Sequence, residues 1–174
     1  MKKTIILFFL ITVSTYSQEP LEYDNIIEVN SIEKDKLFEI LNDWTAIIFN
    51  SANDVIQLSD KDNGKLIIKG VKNYSLGRSL YNCYDGFISF TLRIVVKDNK
   101  YRIIILQLKH NSMNNNVCSL GLITTAELFK PKGFAKREKN KIWKDLKVKS
   151  SELNKSILNS IKEKINNYSS EEKW

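Results

Sequence analysis

The sequence is poor in the residues that build metal, redox and low-complexity proteins: one histidine, two cysteines, two prolines and six glycines in 174 residues. A structural zinc site takes four soft ligands, and three such residues fall short. So few prolines and glycines exclude collagen-like or Pro-rich architecture. No nucleophile elbow, His-Glu-x-x-His helix or phosphate-cradling glycine loop occurs, so no catalytic residue, metal ligand or cofactor site is read from motifs. Beyond residue 17 there is no long apolar run, internal repeat or Gly/Ser linker. What is present suffices for one globular domain: 43% apolar and 27% charged residues, with 27 Lys and Arg against 20 Asp and Glu, a formal charge of +7.

Residues 1–17 read as an export signal. Lys2 and Lys3 precede the uncharged apolar run Thr4 to Val13, which is too short to span a bilayer of about 30 Å as a helix. Thr15 and Ser17 then supply small residues for cleavage before Gln18. The mature chain loses both lysines, its charge becomes +5, and it enters an oxidising compartment, periplasmic or exterior, with no transmembrane anchor.

Residues 18–25 read as an irregular lead-in, followed by a single domain over 26–168 and a frayed tail over 169–174. Ile26 to Val29 is a short strand candidate. Ser31 is placed to cap a helix over about 32–49, with Glu33 in its first turn. Leu37, Ile40, Leu41, Trp44, Ile47 and Ile48 recur at steps of three and four and form one apolar stripe. Val55 to Ser59 and Lys65 to Val71 flank an Asn63-Gly64 pair, the signature of a type I′ hairpin. Asp60 and Asp62 in that loop lack the spacing of a calcium loop, which wants Gly at position 6 and Glu at position 12.

The clearest alternation runs from Gly86 to Lys97. Ile88, Phe90, Leu92, Ile94 and Val96 share one face, while Phe87, Ser89, Thr91, Arg93 and Val95 share the other. A three-residue turn at 98–100 predicts pairing of Ile94 with Ile104, Leu92 with Leu106 and Phe90 with Leu108. A one-residue slip would turn Gln107 and Lys109 towards the apolar face. From about 140 to 167, Trp143, Leu146, Leu153, Ile157, Ile161 and Ile165 keep one helical face, read either as one helix or as two with the second capped at Ser150 or Ser151. Residues 109–134 read as Asn-rich and irregular.

The order β-α-β-β-β-β-α and several strings resemble an exported bacterial family, domain of unknown function 4468, whose fold is like that of the TATA-binding protein. The strings are VIQLSDKDNGKLIIKG (55–70), IVVKDNKYRI (94–103), and WKDLK (143–147) with the following LNKSILNSIKEKI, and the resemblance spans roughly 26–166. It implies an α+β fold, a curved five-stranded antiparallel sheet with two helices packed on one face. It implies no activity, catalytic residue or cofactor, and fold alone gives no reason to expect nucleic acid.

Four features are candidates for function. The strand pairing brings Cys83 within three positions of the partner of Cys118, close enough for a disulfide that closes about 35 residues. The sheet face away from the helices would carry Phe87, Ser89, Thr91, Arg93 and Gln107, with Gln57, Lys65 and Lys69. That set suits a platform for a protein partner or envelope ligand, with Phe87, Arg93, Gln107 and Gln57 as the binding residues. Residues 130–149 hold nine basic side chains, among them Lys136, Arg137, Lys139, Lys141 and Lys144, against Glu138 and Asp145. Such a segment attracts anionic lipid, polysaccharide or acidic protein, with Ile142 and Trp143 either inserted beside the charges or in the core. His110, the single histidine, falls near Ile88 at a strand end, where a structural role outweighs general-base work. Asp54, Asp60, Asp62 and Asp85 are the carboxylates from which a hydrolase would have to be built.

Overall fold

Alternation in the central strand sets the architecture. In a computed structural model that describes residues 18–49, 55–113, 116–129 and 135–171, Ile88, Phe90, Leu92, Ile94 and Val96 are all buried while Arg93 is exposed. This strand, β4 (Gly86–Lys97), lies in the middle of an antiparallel sheet. The other strands are β1 (Tyr23–Glu28), β2 (Ile56–Asp60), β3 (Lys65–Tyr74), β5 (Lys100–Ser112) and the two-residue β6 (Gly121–Leu122). Their order is β1-β5-β4-β3-β2, with β6 added to β5. The lead-in is more regular than its composition suggests: β1 starts at Tyr23, the Leu21 amide donates to Ile123 O at 2.9 Å, and Pro20 bridges to Thr124.

Helices α1 (Lys34–Ile48) and α2 (Lys136–Glu171) supply the second layer. Leu37, Phe38, Ile40, Leu41 and Trp44 of α1 and Ile142, Trp143, Leu146, Leu153, Ile157, Ile161 and Ile165 of α2 are buried in the same core as the inward residues of the sheet. The Trp44 indole N–H donates to Ser160 Oγ at 3.1 Å and ties the helices together. Ile47 and Ile48, predicted within the apolar stripe, are instead 64% and 47% exposed at the C-terminal end of α1. α2 is one helix of 36 residues. Ser150 does not start a second one: its hydroxyl donates to Leu146 O at 2.8 Å from a fully buried position inside the helix.

The start of α1 shows a cap that no local pattern reveals. Ser31 takes a left-handed φ of 58° and does not cap; the N-cap is Glu33, with no side-chain bond to the helix. The Lys34 amide instead donates to Asp98 Oδ1 at 2.8 Å, and the Ile32 amide to Asn99 Oδ1 at 3.0 Å. The β4–β5 turn thus satisfies helix donors that lie more than sixty positions earlier.

The register departs from expectation at one place. Lys97 pairs with Lys100, so the turn has two residues, and Ile94 faces Ile103 while Leu92 faces Ile105. Ile103 and Ile105 are therefore fully buried, and Ile104 and Leu106 lie on the outer side. Past a bulge between Ser89 and Thr91 the predicted pairing returns, with Ser89 opposite Lys109 and Ile88 opposite His110. The extra residue is Gln107, at φ 57°, which turns Leu108 and His110 inward and leaves Gln107 and Lys109 exposed. The slip that would bury Gln107 and Lys109 does occur, and the bulge cancels it.

The β2–β3 turn also differs in detail. Only Gly64 has positive φ, 60°, where a type I′ pair needs two such residues. Asp60 closes the turn by accepting the Asn63 amide at 3.0 Å and its side-chain NH₂ at 2.8 Å, bonds that hold its carboxyl below the usual range. A Cβ on Gly64 would sit 2.6 Å from Val96 O, so the turn needs glycine for both conformation and space. The expected signal at residues 1–17 lies outside the described residues, as do residues 172–174 of the tail.

Candidate functional site

Both helices cover one face of the sheet, so the other face is open. Strand pairing places Lys65, Ile67, Lys69 and Val71 of β3 beside Val95, Arg93, Thr91 and Ser89 of β4. Arg102, Ile104, Leu106 and Lys109 of β5 continue these rows. Beyond them, Asp24 and Ile26 of β1 face Ile104 and Arg102. Arg102 grips Asp24 through both guanidinium arms, with Nε to Oδ1 at 2.8 Å, and this bond draws the Asp24 carboxyl below its ordinary value.

The predicted binding residues do not form one cluster. Phe87 is half-buried and lies between Asn73 and Asn111, while Arg93 lies six residues further along β4 between Ile67 and Ile104. At about 3.4 Å per residue, that separates them by roughly 20 Å. Gln107 falls between them, next to Thr91, whose hydroxyl donates to Gln107 Oε1 at 2.9 Å. Gln57 stands at the irregularity of the far edge strand β2, away from the other three.

Periodicity did not reveal a groove of about 840 Å³ at the level of the bulge, lined by β3, β4, β5 and β6 and by the end of α1. Its polar lining is Lys69, Ser89, Thr91, Gln107 and Lys109; Ile48, Phe49, Val55, Val71 and Leu122 form apolar walls. Gly70 forms the floor, and its missing side chain makes room for Phe90 and Phe49, whose ring atoms would lie 2.4 and 3.0 Å from an added Cβ. The sequence did hold a signal for this site, namely Lys69, Thr91 and Gln107 on one face, but the bulge that gathers them has no local signature.

The cysteines are joined. Cys83, in the 3₁₀ turn Ser79–Tyr84 that leads into β4, is bonded to Cys118 in the turn after β5, with Cα atoms 5.8 Å apart. The Ser112 hydroxyl donates to Cys83 O at 2.6 Å and fastens the same corner. The disulfide is compatible with an exported protein. No helix among the described residues is long and apolar enough to cross a membrane.

His110 is fully buried and does structural work. Its Nδ1 accepts the Leu120 amide at 3.1 Å, and its Nε2–H donates to Tyr84 O at 2.9 Å. An amide N–H only donates and a carbonyl only accepts, so these two bonds specify the neutral ring with its proton on Nε2. Burial pushes the imidazole below its ordinary value. The unfolded ring titrates near 6.5, so the stability contributed by neutral His110 is complete above about pH 6.5 and is lost as pH falls through the lower folded value. Urea midpoints at pH 7 and pH 5 should therefore fall further for the native protein than for a His110→Gln variant. Equal falls would contradict this reading.

The basic segment divides in the structure. Lys136, Arg137, Lys141 and Lys144 are exposed and Lys139 is half-buried along the first turns of α2. Ile142 and Trp143 belong to the core and are not available for insertion, and the Trp143 indole N–H donates to Ala126 O at 3.0 Å. Lys147 is committed to Thr125 O and Ala126 O at 3.0 and 3.2 Å, and Lys149 to Glu152 at 2.9 Å. Lys130 and Lys132 lie outside the described residues, as does Asp54. Asp60 and Asp62 belong to the β2–β3 turn, whereas Asp85 precedes β4 and is a full strand away along β3. Among the described residues, no three His, Cys, Asp or Glu side chains group as metal ligands.

Solved structures with the same fold include a TBP-like protein from Parabacteroides distasonis, at 14% identity and a TM-score of 0.59, covering 82% of this chain and 93% of that one. A DUF4468 family protein from Bacteroides ovatus aligns with a TM-score of 0.60 at 9% identity, over 82% of this chain and 86% of its own. No curated protein matches. The family model described as "Domain of unknown function (DUF4468) with TBP-like fold" matches residues 23–111, from β1 to the end of the β5 pairing with β4. That span is shorter than the strings suggested and leaves WKDLK and α2 beyond it. Over half its length, and with the strand order and helical layer of that fold, the chain belongs to the DUF4468 family.

Proposed function

We propose that this protein is an exported, non-catalytic binding module of the cell envelope that holds its partner or ligand on the open face of the sheet. The observation that carries the reading is the composition of that face. Ile26 and Val71 are 67% and 66% exposed and stand among arginines and lysines, with a groove at the level of the bulge. Exposed apolar groups gathered with charges around a concavity mark recognition surfaces more often than plain wetted faces. Photocrosslinkers at positions 87 and 93 should capture the same envelope component, and Ile26→Asp with Val71→Asp should abolish that capture. Undiminished capture by the double variant would refute the reading.

A second reading is electrostatic association with an anionic surface through α2, favoured by the exposure of Lys136, Arg137, Lys141 and Lys144. It is tested on the same preparation. Reversing Lys136, Arg137 and Lys139 to Glu should abolish binding to anionic liposomes, and salt above about 0.2 M should do the same. Binding that ignores salt and charge reversal would dismiss it.

A further inference from the structure

The groove at the bulge shows a bias that the rest of the face lacks. Its charged lining is Lys69 and Lys109, with no carboxylate among the described residues around it. Lys69 pairs with Thr91, and Lys109 with Ser89. The two lysines thus stand two strands and two residues apart, roughly 12 Å between Cα atoms, on either side of the Ser89–Thr91 row. Neither has a carboxylate partner within salt-bridge distance among the described residues. Gln107 lies between them. Its Oε1 accepts from the Thr91 hydroxyl, and among the described residues its NH₂ has no hydrogen-bond acceptor.

The bulge places Gln107 on this row. Leu106 pairs with Thr91, and Lys109 with Ser89; Phe90 therefore faces both Gln107 and Leu108. Removing Gln107 would let Leu108 face Phe90 alone. Every pairing on either side would survive, with Ile105, Leu108 and His110 still inward. Gln107 is held in a left-handed conformation that costs about 1 kcal/mol for a residue with a side chain, and the inward return of Leu108 and His110 offsets that cost. The same bulge sets the Gln107 amide on the outer face between the two lysines.

Three donors, two of them cations, converge on the groove and call for an anionic head, and the Ile48, Phe49, Val55 and Val71 walls call for an apolar body. Arginine is absent from the lining, and two lysine point charges with one amide suit a small anionic head such as a carboxylate. Resting on the open-face reading, we propose that this groove binds an amphiphilic carboxylate of the fatty-acid type. Its head is held between Lys69, Lys109 and Gln107, and its chain lies against Val71, Phe49 and Ile48. The groove volume is within the range of small-molecule sites.

The probe is sodium dodecanoate below its micellar concentration, titrated calorimetrically into the disulfide-bonded protein. The expected result is saturable binding at one per chain, at least tenfold tighter than dodecyltrimethylammonium or dodecyl maltoside. Lys69→Gln with Lys109→Gln should weaken it at least tenfold, and so should deletion of Gln107. Both variants should keep a melting temperature within a few degrees of the parent. Lys155→Glu, exposed on α2 and outside the groove lining, should leave dodecanoate binding unchanged. Equal binding of the cationic amphiphile, indifference to the lysine pair, no saturable binding, or binding of an acidic hexapeptide in place of dodecanoate would each overturn the proposal. Crosslinking at positions 87 and 93 separates the two failures: if it persists without dodecanoate binding, the ligand class is wrong and the face stands.

Discussion

Reduction of the Cys83–Cys118 bridge is expected to destabilise the protein by about 3–4 kcal/mol, a fall in melting temperature of roughly 10 °C. The bridge closes a separation of 35 residues, which contains the whole β4–β5 hairpin. Its native corner is already fixed by hydrogen bonds that do not involve sulfur: Ser112 Oγ to Cys83 O, the Ser112 amide to Ser119 Oγ at 2.9 Å, and the Met113 amide to Asp85 O at 3.0 Å. Cutting the bridge therefore leaves local geometry intact and chiefly frees the unfolded chain. A Cys83→Ser, Cys118→Ser variant should melt at the temperature of the reduced protein and ignore reductant. Mass spectrometry of the non-reduced protein should show two hydrogens fewer than the thiol form. Full alkylation of both thiols without prior reduction would contradict the bridge.

Truncation of Trp44 should cost as much or more. Trp44 is 2% exposed, packs edge-on against Phe49 with ring centres 6.2 Å apart, and donates its indole N–H to Ser160 of α2. It is both the largest filler of the core under α1 and the polar tie between the two helices. Trp44→Ala is expected to lose about 3–5 kcal/mol in urea unfolding. Trp44→Phe, which keeps an aromatic ring and loses the hydrogen bond, should retain most of that. A cost below about 1 kcal/mol for the alanine variant would show that α1 docks without this residue. The position also bears on function, because Phe49, one wall of the groove, rests on the Trp44 ring.

How far the sequence could be read depended on whether each feature is periodic. The inward face of β4 was legible because apolar and polar residues alternate without interruption from Ile88 to Arg93. The stripe of α1 was legible up to Trp44, but its continuation to Ile47 and Ile48 was not. Spacing records which way a side chain points, and it says nothing about whether another element covers it. β5 was ambiguous for a different reason. Ile103, Ile104, Ile105 and Leu106 are all aliphatic, so either parity offers the core an acceptable face, and Gln107 and Lys109 appeared to favour the wrong one. Two donors at the start of α1 are satisfied by Asp98 and Asn99, which no window around Ser31 contains.

The candidate site divides along the same line. Lys69, Thr91, Arg93 and Gln107 were assignable to one face by counting residues in twos. Their grouping was not, because a groove arises from distances between strands. The layered α+β fold, the proximity of Cys83 to Cys118 and the identity of the open face follow from local periods and chain spacing, since strand pleat and helix pitch are properties of the backbone. The parity of β5, the left-handed Gln107 and the cradle between Lys69 and Lys109 were decided only in three dimensions. There, packing of Ile103 and Ile105 under the helices outweighed the strain of one extra residue.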